Sequence, residues 1–338
     1  MPINNEDYFQ INTEILARFH KHRPPLDLYV FREEIGVLEP FYRKGGRLTD
    51  AQVAELAEIC ENGNLFVAHS DKDIYREYMI HQLDLVLLDP NLTEGEIAEL
   101  CILGVATKYS NYYEQPVPDM MQLLYRDVMV ITEYLWSDKH HIAPFMRRLF
   151  RKADPARHAV NTMIVGTWLW MQMNQEYSRK ELDRVMLALV LHDAGMCKMP
   201  QFYLTKKGKL TQDEWDKMTM HTVASVKLMQ KSDLKFDELI RACFEHHERM
   251  DGSGYPQHTR AGQISVMGRL TAVADSFAAM ICDRVYAKGK DLDKAGNELF
   301  ADARYDKTMT SILSTAFVAG GPLGTAIEMD SKLDALAK

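Results

Sequence analysis

Residues 185–193 read VMLALVLHD, and residues 246–256 read HHERMDGSGYP. The first is an apolar run that ends in two polar side chains, His192 and Asp193. Polar groups at the end of such a run must find partners, and a metal ion is one way to satisfy them. The second joins two adjacent histidines to a turn-rich loop, in which Gly252, Gly254 and Pro256 suit a reversal between helices. Around both stretches the apolar spacing is helical. His158–Met173, Leu182–Leu191, Thr211–Met229, Phe236–His247 and Ile264–Cys282 all repeat at three or four residues. Thr211 with Glu214 adds a capping box. The chain beyond Arg151 is therefore expected to be all-α.

Upstream the pattern mixes strand and helix. Leu26–Phe31 is a β-prone run after Pro24-Pro25. Thr49 with Gln52 opens a helix that closes at Asn62-Gly63, Leu65–Ala68 reads as a strand, and Ser70 with Asp73 marks another helix start. Nothing in this segment has catalytic spacing. Between Asp119 and Trp136, Met120, Leu124, Val128, Ile131 and Leu135 form one apolar stripe. That stripe suits either a core helix or a connecting helix that pairs two chains as a homodimer; Pro144 then breaks the pattern. The expected fold class is mainly α. A small α/β input or regulatory domain spans 1–115, a helical connector 116–150 and an all-α domain 151–338.

Composition narrows the function. At 338 residues the chain has room for two domains of roughly 100–200 residues each. A net charge of −8 argues against a DNA or RNA binder, which would present a basic face. A small anionic ligand stays compatible, because a metal cluster holds phosphate inside an acidic protein. The five cysteines are scattered and form no CxxC pair, which argues against a disulfide framework or a thiolate zinc site. The start, MPINNEDYFQ, is not a signal peptide, and no apolar run approaches the roughly 20 residues of a membrane span. A cytoplasmic location is the expectation.

Five of the twelve histidines, His158, His192, His221, His246 and His247, lie on or at the ends of expected helices. Asp193 follows His192, Asp154 precedes His158 by four residues, and Asp275 sits in a later helix. Imidazole with carboxylate suits Zn, Fe, Mn and related divalent ions. Adjacent His192 and Asp193 cannot share a helix face, but at a helix end they can serve two metals with the carboxylate bridging. Two metals roughly 3.5–4 Å apart clamp both oxygens of a phosphodiester displacement. Spacing alone does not name the substrate.

The strings HDAG (192–195) and HHERMDGSGYP (246–256) together resemble the HD-GYP family of HD metal-dependent phosphohydrolases. The likeness runs over about 151–317 and includes KGKLT (207–211) before His221, RLTAVAD (269–275) and Arg284-Val285-Tyr286. It implies an all-α HD-GYP domain with cyclic-di-GMP phosphodiesterase activity, in which a metal-activated hydroxide yields pGpG, GMP or both. It also implies two or three divalent ions, iron first and Mn or another transition metal next. The ligands carried over are Asp154, His158, His192, Asp193, His221, His246, His247 and Asp275, with Asp193 bridging. Arg284, Lys288 and Tyr255 fall at substrate positions, and the GYP loop is a contact surface for a protein partner.

Three departures stand out. Met196 occupies the lysine position of the family's HD-x-GK motif, leaving Lys198, two residues on, as the candidate catalytic cation beside Asp193. Arg284-Val285-Tyr286-Ala287 replaces the usual Arg-Pro-Tyr-Arg, with one cation fewer, and the segment from Lys288 to Asp306 is shorter than usual. Asp154 stands where the family has Glu. These departures admit two other readings: a catalytically weak cyclic-di-GMP sensor, or a hydrolase of another cyclic dinucleotide.

Overall fold

The structure is a computed structural model that describes residues 7–11, 13–206, 208–232, 234–283, 288–317, 323 and 326–336. It divides into two compact units, Met1–Gly104 and Val105–Lys338.

The first unit is α/β. Strands β1 (Tyr8–Gln10), β2 (Leu28–Arg32), β3 (Val37–Tyr42) and β4 (Leu65–Ala68) form an antiparallel sheet in the order β1-β4-β2-β3. Alternation in β4 buries Leu65 and Val67, and these join Leu28, Val30, Ile11 and Ile15 in the core. The helices are α1 (Thr13–Leu16), α2 (Asp50–Glu61), α3 (Lys72–Ile80), α4 (Leu83–Val86) and α5 (Glu94–Glu114), the last running across the unit boundary. Helix α2 starts on the expected box: Gln52 N–H donates to Thr49 Oγ1 at 3.3 Å, and Thr49 N–H donates to Gln52 Oε1 at 3.0 Å. It ends at Asn62, and Gly63 follows with φ +76°. Ser70 does not cap the next helix; it lies in a 3-10 turn, His69–Asp71, that leads into α3.

The second unit is helical. It contains α6 (Pro118–Ser137), α7 (Ile142–Met146), α8 (Pro155–Met173), α9 (Arg179–Leu191), α10 (Phe202–Thr205), α11 (Gln212–Thr219), α12 (His221–Lys231), α13 (Asp237–Glu245), α14 (Val266–Ile281), α15 (Leu292–Ala301), α16 (Lys307–Ala316) and α17 (Asp330–Leu336). The boundary between the two compact units falls inside α5, and α6, in the stretch expected as a connector, lies on α9 within the second unit. Leu124, Val128, Ile131 and Leu135 are fully buried, so the stripe on α6 serves the core. The single helix expected over Thr211–Met229 is two, α11 and α12, divided at Met220. Helix α8 packs between α9 and α14, while α13 lies against α9, α12 and α14. Apolar side chains fill these interfaces at 0–1% exposure, including Val160, Ile164, Leu169, Leu189, Val273 and Phe277. No helix among the described residues is long and apolar enough to cross a membrane.

Candidate metal centre

Four helix ends bring the polar residues together. The apolar run of α9 stops at its C-cap, His192, and Asp193 opens the short 3-10 turn Ala194–Lys198. His158 lies in the first turns of α8, His221 begins α12, His246 is the C-cap of α13, and Asp275 sits in α14. Break α11–α12 at Met220 is thus what presents His221.

The turn carrying Asp193 rests directly on α12. A Cβ added at Gly195 would meet His221 O at 2.2 Å and Ser225 N at 2.3 Å, so only glycine permits this approach. Gly195 N–H donates to the buried Ser225 Oγ at 2.7 Å, which fixes the contact.

Seven of the eight expected ligands converge. His158, His192 and Asp275 form one group, His192, Asp193 and His246 a second, and His221, His246 and His247 a third, with donor atoms within 4.8 Å of one another in each. Asp275 Oδ1 lies 2.9 Å from His158 Nε2 and 3.9 Å from His192 Nε2. Asp193 Oδ1 lies 3.2 Å from His221 Nε2 and 3.8 Å from His246 Nε2. Asp193 therefore stands at the junction between the two sides of the cluster.

The chemistry of this donor set fits divalent cations. Three imidazoles are oriented by backbone carbonyls on the preceding turn: His192 Nδ1 with Leu189 O at 2.7 Å, His221 Nδ1 with Met218 O at 2.7 Å and His246 Nδ1 with Ala242 O at 2.8 Å. A carbonyl can only accept, so each Nδ1 carries a proton, which leaves Nε2 as the ring atom available to a metal. The Nε2 atoms of His221 and His246 face each other at 3.4 Å. Buried His192 Nε2 and Asp193 Oδ1 have no hydrogen-bond partner among the described residues. Donor atoms converging in a largely buried site are costly without a partner, and a cation satisfies them.

Electrostatics agree. Burial, reinforced by neighbouring imidazoles, holds His246 and His247 well below the ordinary histidine value. Both are neutral near pH 7, as ligation requires. Burial raises the Asp275 carboxyl, but the imidazoles of His158, 2.9 Å away, and of His192 outweigh it and hold the group well below the carboxylate range. At His192 burial is likewise outweighed, by Asp275 and Asp193, and the ring is raised.

The remaining expected residues fare differently. The Tyr255 ring stacks on His247 with centroids 4.6 Å apart, directly beside the cluster. Asp154 is not in any of the three groups. It is the N-cap of α8, accepting from Arg157 N at 2.9 Å and pairing with the Arg157 guanidinium, which Asp330 and Asp334 also hold. Lys198 is exposed at the end of the 3-10 turn, and among the described residues it makes no ion pair with the cluster. Lys288 is exposed and pairs with Asp283 at 2.6 Å. Arg284 lies outside the described residues.

Glu248 has a role that spacing did not reveal. Its buried carboxylate accepts from Gln257 N at 2.6 Å and Thr259 N at 3.0 Å, pinning the loop that follows the histidine pair. Glu245, also buried, accepts from Ser265 N at 2.9 Å at the start of α14. Tyr255 N–H donates to His247 O at 3.2 Å, and a Cβ at Gly254 would lie 2.3 Å from that same oxygen. The loop is folded onto the backbone of the ligand pair itself.

A family described as "HD domain" matches residues 144–309. Curated relatives include a cyclic di-GMP phosphodiesterase of Thermotoga maritima, 35% identical over 44% of this chain and 40% of that protein. They also include the cyclic di-GMP phosphodiesterase response regulator RpfG of Xanthomonas campestris, 36% identical over 37% of this chain and 33% of that one. A 3'3'-cGAMP-specific phosphodiesterase 2 of Vibrio cholerae is 34% identical over 37% of this chain and 24% of its own. The chain thus matches well under half the length of these relatives. Among solved structures, an HDG"Y"P protein from Bdellovibrio bacteriovorus has a TM-score of 0.58 at 15% identity, covering 91% of this chain and 98% of that one; the likeness is one of fold. Residues 144–309 thus match the HD domain family, and the HHERMDGSGYP string lies within that match.

Proposed function

We propose that this chain is a metal-dependent phosphodiesterase of cyclic dinucleotides, with cyclic-di-GMP as its first candidate substrate and pGpG or GMP as product. The observation that carries the reading is the place of Asp193, an unpartnered buried carboxylate oxygen between two groups of imidazoles. His158, His192 and Asp275 would hold one divalent ion, His221, His246 and His247 another, with Asp193 between them. Bound there, such ions would activate water and withdraw charge from the phosphate. The chain's own residues orient the donors, exclude solvent and wall the site with Tyr255. Iron is favoured by the family likeness, and Mn suits the same mixed donor set. Two ions are the count this reading favours; a third would need Asp154 to leave Arg157. A soluble cytoplasmic setting accords with an intracellular nucleotide substrate. The outward side of the GYP loop is the candidate surface for a protein partner.

Metal content and cyclic-di-GMP turnover of anaerobically purified protein test the reading. About two Fe or Mn per chain with linear product supports it, and His192→Ala or Asp193→Ala is expected to abolish both. Full metal content and full activity in either variant would refute the site.

One observation favours a second reading, a sensor that binds the nucleotide but turns it over poorly. Met196 is 7% exposed at the position of the family lysine, and Lys198, two residues on, is an exposed side chain. With Met196 in place of that lysine, the chain lacks one cation that would stabilise developing charge.

A further inference from the structure

The geometry points to Trp215 as the outer nucleobase-stacking residue of this site, a specificity determinant for the base rather than the phosphate. The inference rests on the cyclic-dinucleotide reading above. Helix α11 begins at a complete capping box, with Glu214 N–H donating to Thr211 Oγ1 at 3.3 Å and Thr211 N–H to Glu214 Oε2 at 2.7 Å. Lys206 pairs with the same Glu214 carboxylate and ties down the approach to the helix. Trp215, the next residue, is therefore held in place, yet it remains 44% exposed.

An exposed indole is a large apolar surface without a core role. Its one ring contact among the described residues is Tyr255, with centroids 5.9 Å apart and planes at 81°. Tyr255 in turn stacks on His247 at 4.6 Å. Aromatic surfaces therefore run outward from the metal cluster in sequence: His247, Tyr255, Trp215. A phosphodiester seated at Asp193 has its bases attached a sugar's length away, beyond the imidazoles. The inner wall such a purine meets is Tyr255, and the outer, solvent-facing wall is Trp215. A planar base offers a π-face to an indole whatever its hydrogen-bonding edge, so this contact selects for a base over a bare diester.

The test uses the full-length, metal-loaded chain and the variants Trp215→Ala and Trp215→Phe with cyclic-di-GMP. Stacking of a base on an aromatic side chain supports about a tenfold or larger rise in KM for Trp215→Ala. Turnover should stay within about twofold, metal content should be unchanged, and Trp215→Phe should recover most of the affinity. An unchanged KM, or a loss confined to kcat or accompanied by metal loss, overturns the inference. If the native chain shows no turnover, intrinsic fluorescence decides the matter separately. Quenching by cyclic-di-GMP that disappears in Trp215→Phe upholds Trp215 while hydrolysis fails; absence of quenching in the native chain rejects Trp215 as well.

Discussion

Gly195→Ala puts the assembly of the cluster to a direct test. The new methyl carbon would fall 2.2 Å from His221 O, 2.3 Å from Ser225 N and 2.7 Å from Ser225 Oγ, two of the three being backbone atoms that no rotamer change can move. Relief requires the 3-10 turn to withdraw from α12 by about 1 Å, which is the gap between these contacts and ordinary van der Waals separation. Overpacking of this kind costs about 1–3 kcal/mol. The Gly195 N–H to Ser225 Oγ bond, 2.7 Å and buried, would be stretched or lost for about another 1–2 kcal/mol. A total of roughly 2–5 kcal/mol lowers the melting temperature by about 5–15 °C for a unit of this size. Withdrawal also carries Asp193 away from His221 Nε2, now 3.2 Å distant, whereas metal–ligand lengths tolerate only about ±0.2 Å. Calorimetry and metal analysis read both effects. Gly262→Ala, where a Cβ meets nothing within 4 Å and φ is ordinary, is the silent control. If Gly195→Ala melts within about 2 °C of the native chain and keeps its metal, the close approach does not organise the site.

Met196→Lys is expected to raise cyclic-di-GMP turnover about tenfold or more if the chain is a weakened enzyme; unchanged turnover with intact binding supports the sensor. Asp154→Asn should leave the metal content of the two groups unchanged, because Asp154 is engaged with Arg157; loss of an ion, read by elemental analysis, would restore it as a ligand. Acidification should destabilise the metal-free protein. His246 and His247 have folded values below the ordinary histidine value of 6.5, so the unfolded chain takes up protons first and stability falls as pH drops below about 6.5. The raised His192 acts in the opposite sense but is one ring against two. Denaturant titrations at pH 7.5 and 5.5 give the sign, and equal or greater stability at the lower pH contradicts the assignment of neutral rings.

The centre was more legible than its supports. His192-Asp193 after an apolar run and His246-His247 before a turn are dense local signals, and the helices that carry them have strong periodicity. Asp154 stands apart from the three groups because four-residue spacing fixes where a carboxylate starts and not which cation claims it; Arg157, three residues on, lies as near in sequence as His158. The 211–229 run reads as one helix because apolar spacing continues through Met220, while the break is imposed by the position His221 must take. Strand β3 is hidden by Pro40, which an edge strand tolerates. Helix α5 does carry a start signal in the sequence: Thr93 and Glu96 form a capping box, Thr93 N–H donating to Glu96 Oε2 at 3.0 Å. Trp215 has no signature in sequence, since one exposed aromatic after a cap looks like any surface residue until its neighbour is placed.

The Glu248 carboxylate has a consequence for how this surface breathes. Gln257 and Thr259 lie in a segment without regular secondary structure, yet their amides end on a buried anion attached to the residue next to His247. Releasing those two protons to solvent means exposing an unpaired carboxylate inside the protein, so they exchange on the clock of α13 and not on that of a surface loop. The loop is an outlying part of the helix that ends in the metal ligands, and whatever pulls on it pulls on them.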